Sequence, residues 1–540
     1  MRERKELLTD PTCDAGERRM DALIALCFGA VMLCIVVVVV FFYDSTGFIN
    51  KGYKDGFLLD MLPLGAIVFA VLAAIVLLIR RRQRMHPLRD GARLSPVQLA
   101  LAFSGLLVLQ LFVGYNIYSL QSGDMYWVLQ SAFSLARGET QYVYYEYFEA
   151  YPNNIPVAAL FSSILRLWMR TGAEPGMERF VALLMALQCV AGALAGTVYM
   201  VLAARLTGRR SAAYAVLAGY TGLIALSGWM TVPYSDPVVL TVPALTAYFD
   251  LRSRESSGWG GRIAFAALAG AVGGLGMMIK PQSTMVLCAI LFCEALGWLF
   301  SAARRNRATL LRFGAVLCAF MVMYGPVRGM ICDASGLNAH SEGRVSMLHY
   351  LYMGLGENMN GGYNAEDYVS LEDAPTYAER QALYIVGIRE RIGEMGPWRL
   401  LVHAQRKCLV NFSDGTFAWG INGHEHSAPK NDIASPLLRS IFWEDGPYNP
   451  LLSVIQQGLW LAVLMLCPFA GSAVRRQRCL GRRASADGLN VLLVSALGFA
   501  AFSTLFESGG RYIFCMAPVF ILLAACALLG QDTKKGEGCA

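Results

Sequence analysis

Twelve apolar runs, each close to the roughly 20 residues a helix needs to cross about 30 Å of hydrocarbon, punctuate this 540-residue sequence and leave it few folds. They fall near 22–43, 57–79, 97–119, 180–204, 211–230, 237–251, 263–279, 282–302, 311–331, 451–473, 488–506 and 512–530. Inside a bilayer every backbone N–H and C=O must find a partner within the protein, so runs of this length imply helices. Only 16% of residues are charged, against about 25% in a soluble domain, and the mean hydropathy is +0.45. One large helical bundle with loop insertions accounts for the length better than a string of soluble domains. The expected fold is an all-α polytopic membrane protein of about 12 transmembrane helices with two large external loops.

The net charge of +7 is modest and does not point to nucleic acid. Nine of the 14 cysteines lie in apolar runs (Cys27, Cys34, Cys189, Cys288, Cys293, Cys318, Cys467, Cys515, Cys526), where they serve as small apolar residues. No CxxC pair or disulfide framework is present. The first apolar run is too long for a signal-peptide core and has no small-residue cleavage site, so it reads as an uncleaved first span.

A thirteenth run, 155–169, is shorter and ends in Arg166 and Arg170. Charge parity decides whether it crosses, because Lys and Arg accumulate in cytoplasmic loops. If it does not cross and the N-terminus is cytoplasmic, segments 1–21, 80–96, 205–210, 252–262, 303–312, 474–487 and the tail face inward. They carry 28 of the 46 Lys and Arg residues, while the short outer turns hold only Lys51, Lys54, Lys280 and Arg511. If it did cross, Arg205, Arg209, Arg210, Arg304 and Arg305 would face outward. The expectation is therefore that 155–169 lies on or dips into the outer surface of a plasma membrane protein with both termini cytoplasmic. The chain divides into 1–96, a cytoplasmic segment with an added hairpin; 97–331, a transmembrane core containing a first external loop, 120–178; 332–450, a large external region; and 451–540, the last helices and tail. Within 332–450, an amphipathic helix is expected around 376–394, and 397–412 is semi-apolar enough to graze the membrane. No internal repeat is visible.

Ionisable residues are sparse in the span centres and gather at the outer ends, which suits a substrate with a lipid tail and a polar head. Asp124, in Ser122-Gly-Asp-Met-Tyr-Trp127, opens a helix-like stretch just past the third span. It reads either as a helix N-cap or as a general base taking a proton from an acceptor hydroxyl. The run Tyr142-Val-Tyr-Tyr-Glu146-Tyr-Phe-Glu149-Ala-Tyr151-Pro-Asn-Asn154 suits an interfacial aromatic belt. With Glu146, Glu149, Tyr151, Asn153 and Asn154 beside the rings, it equally suits binding of a sugar. Asp236, in Val232-Pro-Tyr-Ser-Asp-Pro, is either a cap or a second acid on the same face. Lys280, the lone cation of its hairpin, either snorkels or meets a lipid-linked phosphate as a point charge. In Phe506-Glu507-Ser-Gly-Gly-Arg511-Tyr512, Glu507 and Arg511 either pair with each other or serve a ligand, with the two glycines letting the backbone approach it. Lys407 to Trp419 reads as an interfacial segment with a turn at Asp414-Gly415. His424-Glu425-His426 is weak as a metal motif, and no nucleotide-binding or hydrolase motif appears in a credible context.

The layout resembles the GT-C superfamily of membrane glycosyltransferases, in the bacterial branch of protein O-mannosyltransferase-like and aminoarabinose-transferase-like enzymes. Those enzymes carry an acidic residue early in the first large external loop. An aromatic stretch, a Pro-containing turn and surface-lying helices follow. Asp124, Ala132 to Gly138, Tyr151-Pro-Asn-Asn154 and the non-crossing 155–169 keep that order, and the Lys280-Pro281 and Glu507 to Tyr512 elements look like family features near a donor phosphate. The sequence departs from many relatives in two places. Met125 and Tyr126 follow Asp124 where a paired acid is common, so no metal-chelating pair is evident. Pro152-Asn153 stands where several relatives have Pro-Pro.

The resemblance implies an inverting transfer of a sugar from a polyprenyl-phosphate donor to a cell-envelope glycan, polymer or protein. Asp124 would be the base, and Glu146, Glu149, Tyr151, Asn153, Asn154, Asp236, Lys280, Glu507, Arg511 and Tyr512 would bind substrate. It requires no certain cofactor and leaves room for a divalent metal. A flippase for lipid-linked oligosaccharides would instead place buried charges along a path through the spans. An envelope polysaccharide polymerase or ligase would lead its outer loop with arginines.

Overall fold

The structure, a computed structural model, describes residues 15–42, 63, 65–74, 81, 93–118, 123–370, 372–419, 436–443 and 446–529. The charges expected on 2–5, 82–89 and the tail, most of the second span, and His424-Glu425-His426 lie outside the described residues. Among the described residues there is no strand, and eight helices are long and apolar enough to cross a bilayer.

The principal helices, in chain order, are α1 (Ala15–Phe41), α2 (Pro96–Ile117), α3 (Gly123–Arg137), α4 (Tyr145–Ala150), α5 (Ile155–Met169), α6 (Met177–Thr207), α7 (Arg210–Tyr220), α8 (Thr241–Glu255) and α9 (Trp259–Ile279). There follow α10 (Met285–Phe300), α11 (Arg307–Val322), α12 (Arg328–Ser335), α13 (Met347–Gly354), α14 (Tyr377–Phe412), α15 (Asn449–Leu466), α16 (Gly471–Cys479), α17 (Arg483–Leu505) and α18 (Ala517–Leu529). Length and composition alone thus yield fewer spans than the twelve expected. The run 211–230 stops being α-helical at Tyr220 and continues as a π-helical turn, Thr221–Ala225, and a 3-10 turn, Gly228–Thr231. The run 237–251 is broken between Ser235–Val238 and α8, and the last begins with a 3-10 turn, Gly510–Ile513. Pro233 follows the 3-10 turn and Pro237 lies in the short helix Ser235–Val238, and each removes a backbone donor.

Four antiparallel helices, α8, α9, α10 and α17, define two ends of the bundle. At one end a knot of buried ion pairs ties α1, α8, α10, α11, α16 and α17 together. Arg254 meets Asp250 at 2.7 Å and Glu294 at 2.8 Å, and Arg312 reaches the same two acids at 2.8 and 3.0 Å. Arg304 bridges Glu17 at 3.0 Å and Asp487 at 2.5 Å, and Arg478 holds Asp21 at 2.7 Å. The sequence suggested that the spans are nearly free of charge. Asp250 and Glu294 are instead buried within helices, which is tolerable because each meets two guanidinium groups. Several arginines that charge parity assigns to one side, Arg254, Arg304, Arg312 and Arg478, gather here.

The other end carries Asp236 before α8, Lys280 after α9 and Glu507 after α17. The segment 123–169 also belongs to it. Arg210 Nε donates to the Arg93 carbonyl at 2.7 Å, Gln98 Nε2 to the Tyr214 hydroxyl at 2.7 Å, and Arg205 pairs with Glu255 at 2.7 Å. The start of α2 and the finish of α6 therefore share the ion-pair end, and the chain leaves α2 and enters α6 at the opposite one. Helix α5 does not cross; it packs on α3 and α12 there.

The segment 397–412 exposes Trp398 and Leu401 near its start and is interior beyond them. It is the second half of the 36-residue α14, kinked at Gly396 (φ 59) before Pro397, and it turns inward, burying His403, Lys407, Leu409, Asn411 and Phe412. A capping box from Thr376 and Glu379 starts the helix. Arg380, 1% exposed, ties it to the carbonyls of Glu342 and Arg344 at 2.7 and 2.6 Å. The stretch after it is interior too. Buried Asp414 accepts from Thr416 N–H and Ala418 N–H, both at 2.7 Å, and Trp229 Nε1 donates to the Phe417 carbonyl at 2.8 Å.

Candidate functional site

Three hairpin turns at one end of the bundle bring cations and an acid together. In the turn before α8, Asp236 sits between prolines on the fold's interior side and is 1% exposed. Lys280 ends α9 in an extended conformation that Pro281 favours, and is 6% exposed. Its Nζ lies 2.5 Å from Asp236 Oδ1, and Arg511 Nε lies 3.4 Å from Oδ2 of the same carboxylate. Asp236 is therefore neither a free second acid nor a cap; it is the anion between two cations, and the formal charge of the three is +1. Aromatic faces complete the enclosure. The Arg511 guanidinium lies 5.5 Å from the Trp229 ring centroid, 5.7 Å from Tyr234 and 5.9 Å from Tyr512, with Lys280 Nζ 5.0 Å from Tyr512. Cation–π attraction strengthens where water is excluded.

Glu507 does not pair with Arg511. Its Oε1 accepts from the Tyr512 hydroxyl at 2.7 Å. Nor do both glycines beside it face a ligand: a Cβ on Gly510 would touch Ala418 and the Val410 carbonyl.

Asp124 comes to this group from α3, where it lies in the first turn. Its carboxyl is held above the usual range. Burial is the main cause, opposed by the charges of Arg511 and Lys280 and a hydrogen bond from Tyr147. Yet the residue is exposed at its surface, so a ligand can reach it. Burial also raises Glu507, with Asp124 adding to the rise and Tyr512, Arg511 and Lys280 opposing it. Two carboxyls and two cations thus act on one another across segments nearly 400 residues apart in sequence.

The Tyr147 hydroxyl links Asp124 to the scaffold. Buried Asn154 donates to it from Nδ2 at 2.6 Å, and Tyr234 hydrogen-bonds it as well. Tyr151 packs on Tyr147 with centroids 5.4 Å apart and senses Asp124 and Glu507. Two tyrosines from the segment 332–370 do the same: Tyr350 senses Glu507, Tyr151, Tyr234 and Asp124, and Tyr363 senses Asp124 and Glu507. Glu146, exposed, and Glu149, half-buried, lie on α4, and Asn153 is exposed. Among the described residues none of these three bonds to the cluster; Asn153 Nδ2 reaches only Asn154 Oδ1, at 3.4 Å.

Sequence reasoning passed over Tyr147, Trp229, Tyr234, Tyr350 and Tyr363 as individuals. Tyr147 and Tyr234 lay inside runs singled out for their acids. Nothing local marked Tyr350. Among the described residues no group of three or more His, Cys, Asp or Glu side chains converges as a metal site.

Two solved structures are similar in outline. One is the archaeal oligosaccharyltransferase AglB from Archaeoglobus fulgidus, in complex with an inhibitory peptide and a dolichol-phosphate: 15% identity, TM-score 0.39, covering 79% of this chain and 50% of that one. The other is ArnT from Cupriavidus metallidurans bound to undecaprenyl phosphate: 13% identity, TM-score 0.32, covering 81% of this chain and 78% of that one. The match thus spans about half the length of AglB, and at these scores neither likeness says what the chain does. No curated protein matches the sequence. A family profile described as conserved hypothetical integral membrane protein matches residues 19–531, nearly the whole sequence, and the chain belongs to that family.

Proposed function

We propose that the protein is a GT-C-type membrane glycosyltransferase that takes a sugar from a polyprenyl-phosphate donor and passes it to a cell-envelope glycan, polymer or protein at the external face. One observation carries the reading: Asp124, Lys280 and Arg511, drawn from three distant parts of the chain, interact electrostatically at one end of the bundle. Its resemblance to GT-C enzymes, on the residue order from Asp124 to Asn154, supplies the reaction class.

In this reading the acceptor hydroxyl gives its proton to the Asp124 carboxylate as its oxygen attacks the anomeric carbon. The bond from that carbon to the phosphate oxygen breaks on the opposite face, so configuration inverts, and polyprenyl phosphate leaves with the electron pair. A carboxyl held above its usual range by burial is a stronger base than a solvated one. The Lys280–Asp236–Arg511 triad, with its net positive charge already assembled, would stabilise the departing phosphate without reorganising at the moment of reaction. Tyrosines 147, 151, 234, 350 and 363 would offer ring faces and hydroxyls to the sugar.

The flippase alternative gains nothing from the buried charges that the sequence did not foresee. Those within the apolar runs, Asp250 and Glu294, lie in the ion-pair knot at the far end rather than along a route. The test is turnover of a polyprenyl-phosphate sugar pool by purified protein. Asp124→Asn is expected to abolish transfer while membrane insertion is unchanged, and Lys280→Ala or Arg511→Ala to raise the KM for donor. Normal turnover by the Asp124→Asn protein would end the reading.

A further inference from the structure

Glu507 lies in the loop that joins α17 to the 3-10 turn Gly510–Ile513, which carries Arg511, and that connection is held from beneath by a lysine the proposed transfer does not use. Lys407, on the inward half of α14, is 1% exposed. Its Nζ donates to the carbonyl of Phe506 at 2.6 Å and to that of Gly354 at 2.7 Å, where His403 Nε2 also bonds at 2.9 Å. One helical turn on, Asn411 accepts from Gly509 N–H at 3.1 Å and donates from Nδ2 to the Ser503 carbonyl at 3.1 Å. Ser508 N–H donates to the Gly361 carbonyl at 2.6 Å.

The backbones are pressed together around the ammonium group. A Cβ on Gly354 would come within 2.6 Å of the Leu505 carbonyl, and one on Gly361 within 3.0 Å of Lys407 Nζ. Among the described residues Lys407 has no salt bridge, and burial lowers it to about 7, opposed by the charge of Glu507. Burying an ammonium without a carboxylate in contact is costly. A fold that needed only a filled space there would gain by an apolar residue, so the donors and the charge must serve the segments they bind.

We propose that Lys407 is a positioning residue for the site. It locks the connection bearing Glu507 and Arg511 to the Gly354–Gly362 turn that leads to Tyr363, so that the two substrate-facing walls move as one body. Lys407 touches no substrate; its effect is on where Arg511 and Glu507 stand. The inference deepens the transfer reading and rests on it for the ligand, a lipid phosphate at Arg511.

The experiment uses full-length protein in detergent, with undecaprenyl phosphate as the probe ligand. Amide hydrogen exchange and probe affinity are measured for wild type, Lys407→Met and Lys407→Gln. The Met variant is expected to exchange faster at 354–363 and 506–511, with α8 unaltered. Its probe affinity should fall by about tenfold, the size of one lost charge-assisted hydrogen bond, with the melting temperature nearly unmoved. The Gln variant, which keeps two N–H donors, should fall between and serves alone if the Met protein does not fold. Unaltered exchange in both segments would overturn the proposal. So would faster exchange with unchanged affinity in a wild type that binds the probe. A wild type that does not bind undecaprenyl phosphate sinks the transfer reading instead, and the exchange result then decides Lys407 alone: loosening confined to the two segments upholds it, and its absence overturns it.

Discussion

A carboxylate serves as a base near neutral pH when its surroundings raise its proton affinity without protonating it outright, and the groups around Asp124 pull in both directions. Burial raises it, while Arg511, Tyr147 and Lys280 lower it. Replacing Tyr147 with Phe removes a lowering influence, so the acidic limb of the pH–rate profile is expected to move to higher pH. A limb that stays in place would exclude the Tyr147 hydrogen bond as a determinant. Lys407 makes a second residue-level prediction, about stability. Its folded value near 7 lies below the ordinary 10.5, so between those values the unfolded chain binds more protons than the folded one. Stability from this group is full above 10.5, falls as pH drops, and is lost below about 7. Thermal unfolding of wild type should therefore shift upward from pH 7 to 9, and Lys407→Met should lose part of that rise. Both residues stood in the sequence as ordinary letters. Asp124 was legible because it follows an apolar run, whereas Lys407 was read as interfacial because nothing local reveals that α14 bends inward at Gly396.

At the scale of elements, close approach and buried pairing decide which helices touch. Helix α9 carries Gly270, Gly273, Gly274 and Gly276, and small residues let membrane helices pack backbone to backbone. A Cβ on Gly270 would stand 2.1 Å from the Val316 carbonyl of α11, a contact with no flexible side chain to yield. Gly270→Leu is expected to cost at least about 1–3 kcal/mol of stability, the usual price of overpacking, measurable as a lowered melting temperature in detergent. Helix α1 depends on charge instead. Asp21, 7% exposed, accepts from Arg478 Nε and Asn490 Nδ2 at 2.7 and 2.6 Å. Asp21→Ala leaves a guanidinium buried with one partner fewer and should destabilise by about 3–5 kcal/mol. An unchanged melting temperature would mean that α1 is bound by its apolar face alone.

Over the whole molecule, charge is divided between two ends that α17, 23 residues long, separates by about 34 Å at 1.5 Å per residue. In the arginine knot four guanidinium groups meet five carboxylates; the tyrosine-lined end is partly open, with exposed Asp124 and Tyr363. If the lysine and arginine bias sets orientation as in other membrane proteins, the open end faces outward. With single cysteines introduced at exposed Glu146 and near the other end at exposed Arg307, in a background without native cysteines, Glu146→Cys should then react with a membrane-impermeant thiol reagent in intact cells and Arg307→Cys only after lysis. Labelling of both from one side would refute the two-ended arrangement. Labelling of Glu146→Cys only after lysis would reverse the orientation.

The sequence by itself determined that the chain is a helical membrane protein, which turns lie at which end relative to one another, and that 155–169 stays at one of them. Apolar run length and the count of basic residues are one-dimensional quantities, and the bilayer converts them directly into topology. It also exposed Asp124, Asp236, Lys280, Glu507 and Arg511, because an ionisable residue at the end of an apolar run is conspicuous. Only the tertiary structure decided which of them meet. Asp236 lies between Lys280 and Arg511, Glu507 turns to Tyr512, and Tyr350 and Lys407 join from a region whose fold no periodicity announced. Such pairings depend on distances between residues hundreds of positions apart, and these are set by how helices pack rather than by any local pattern of residues.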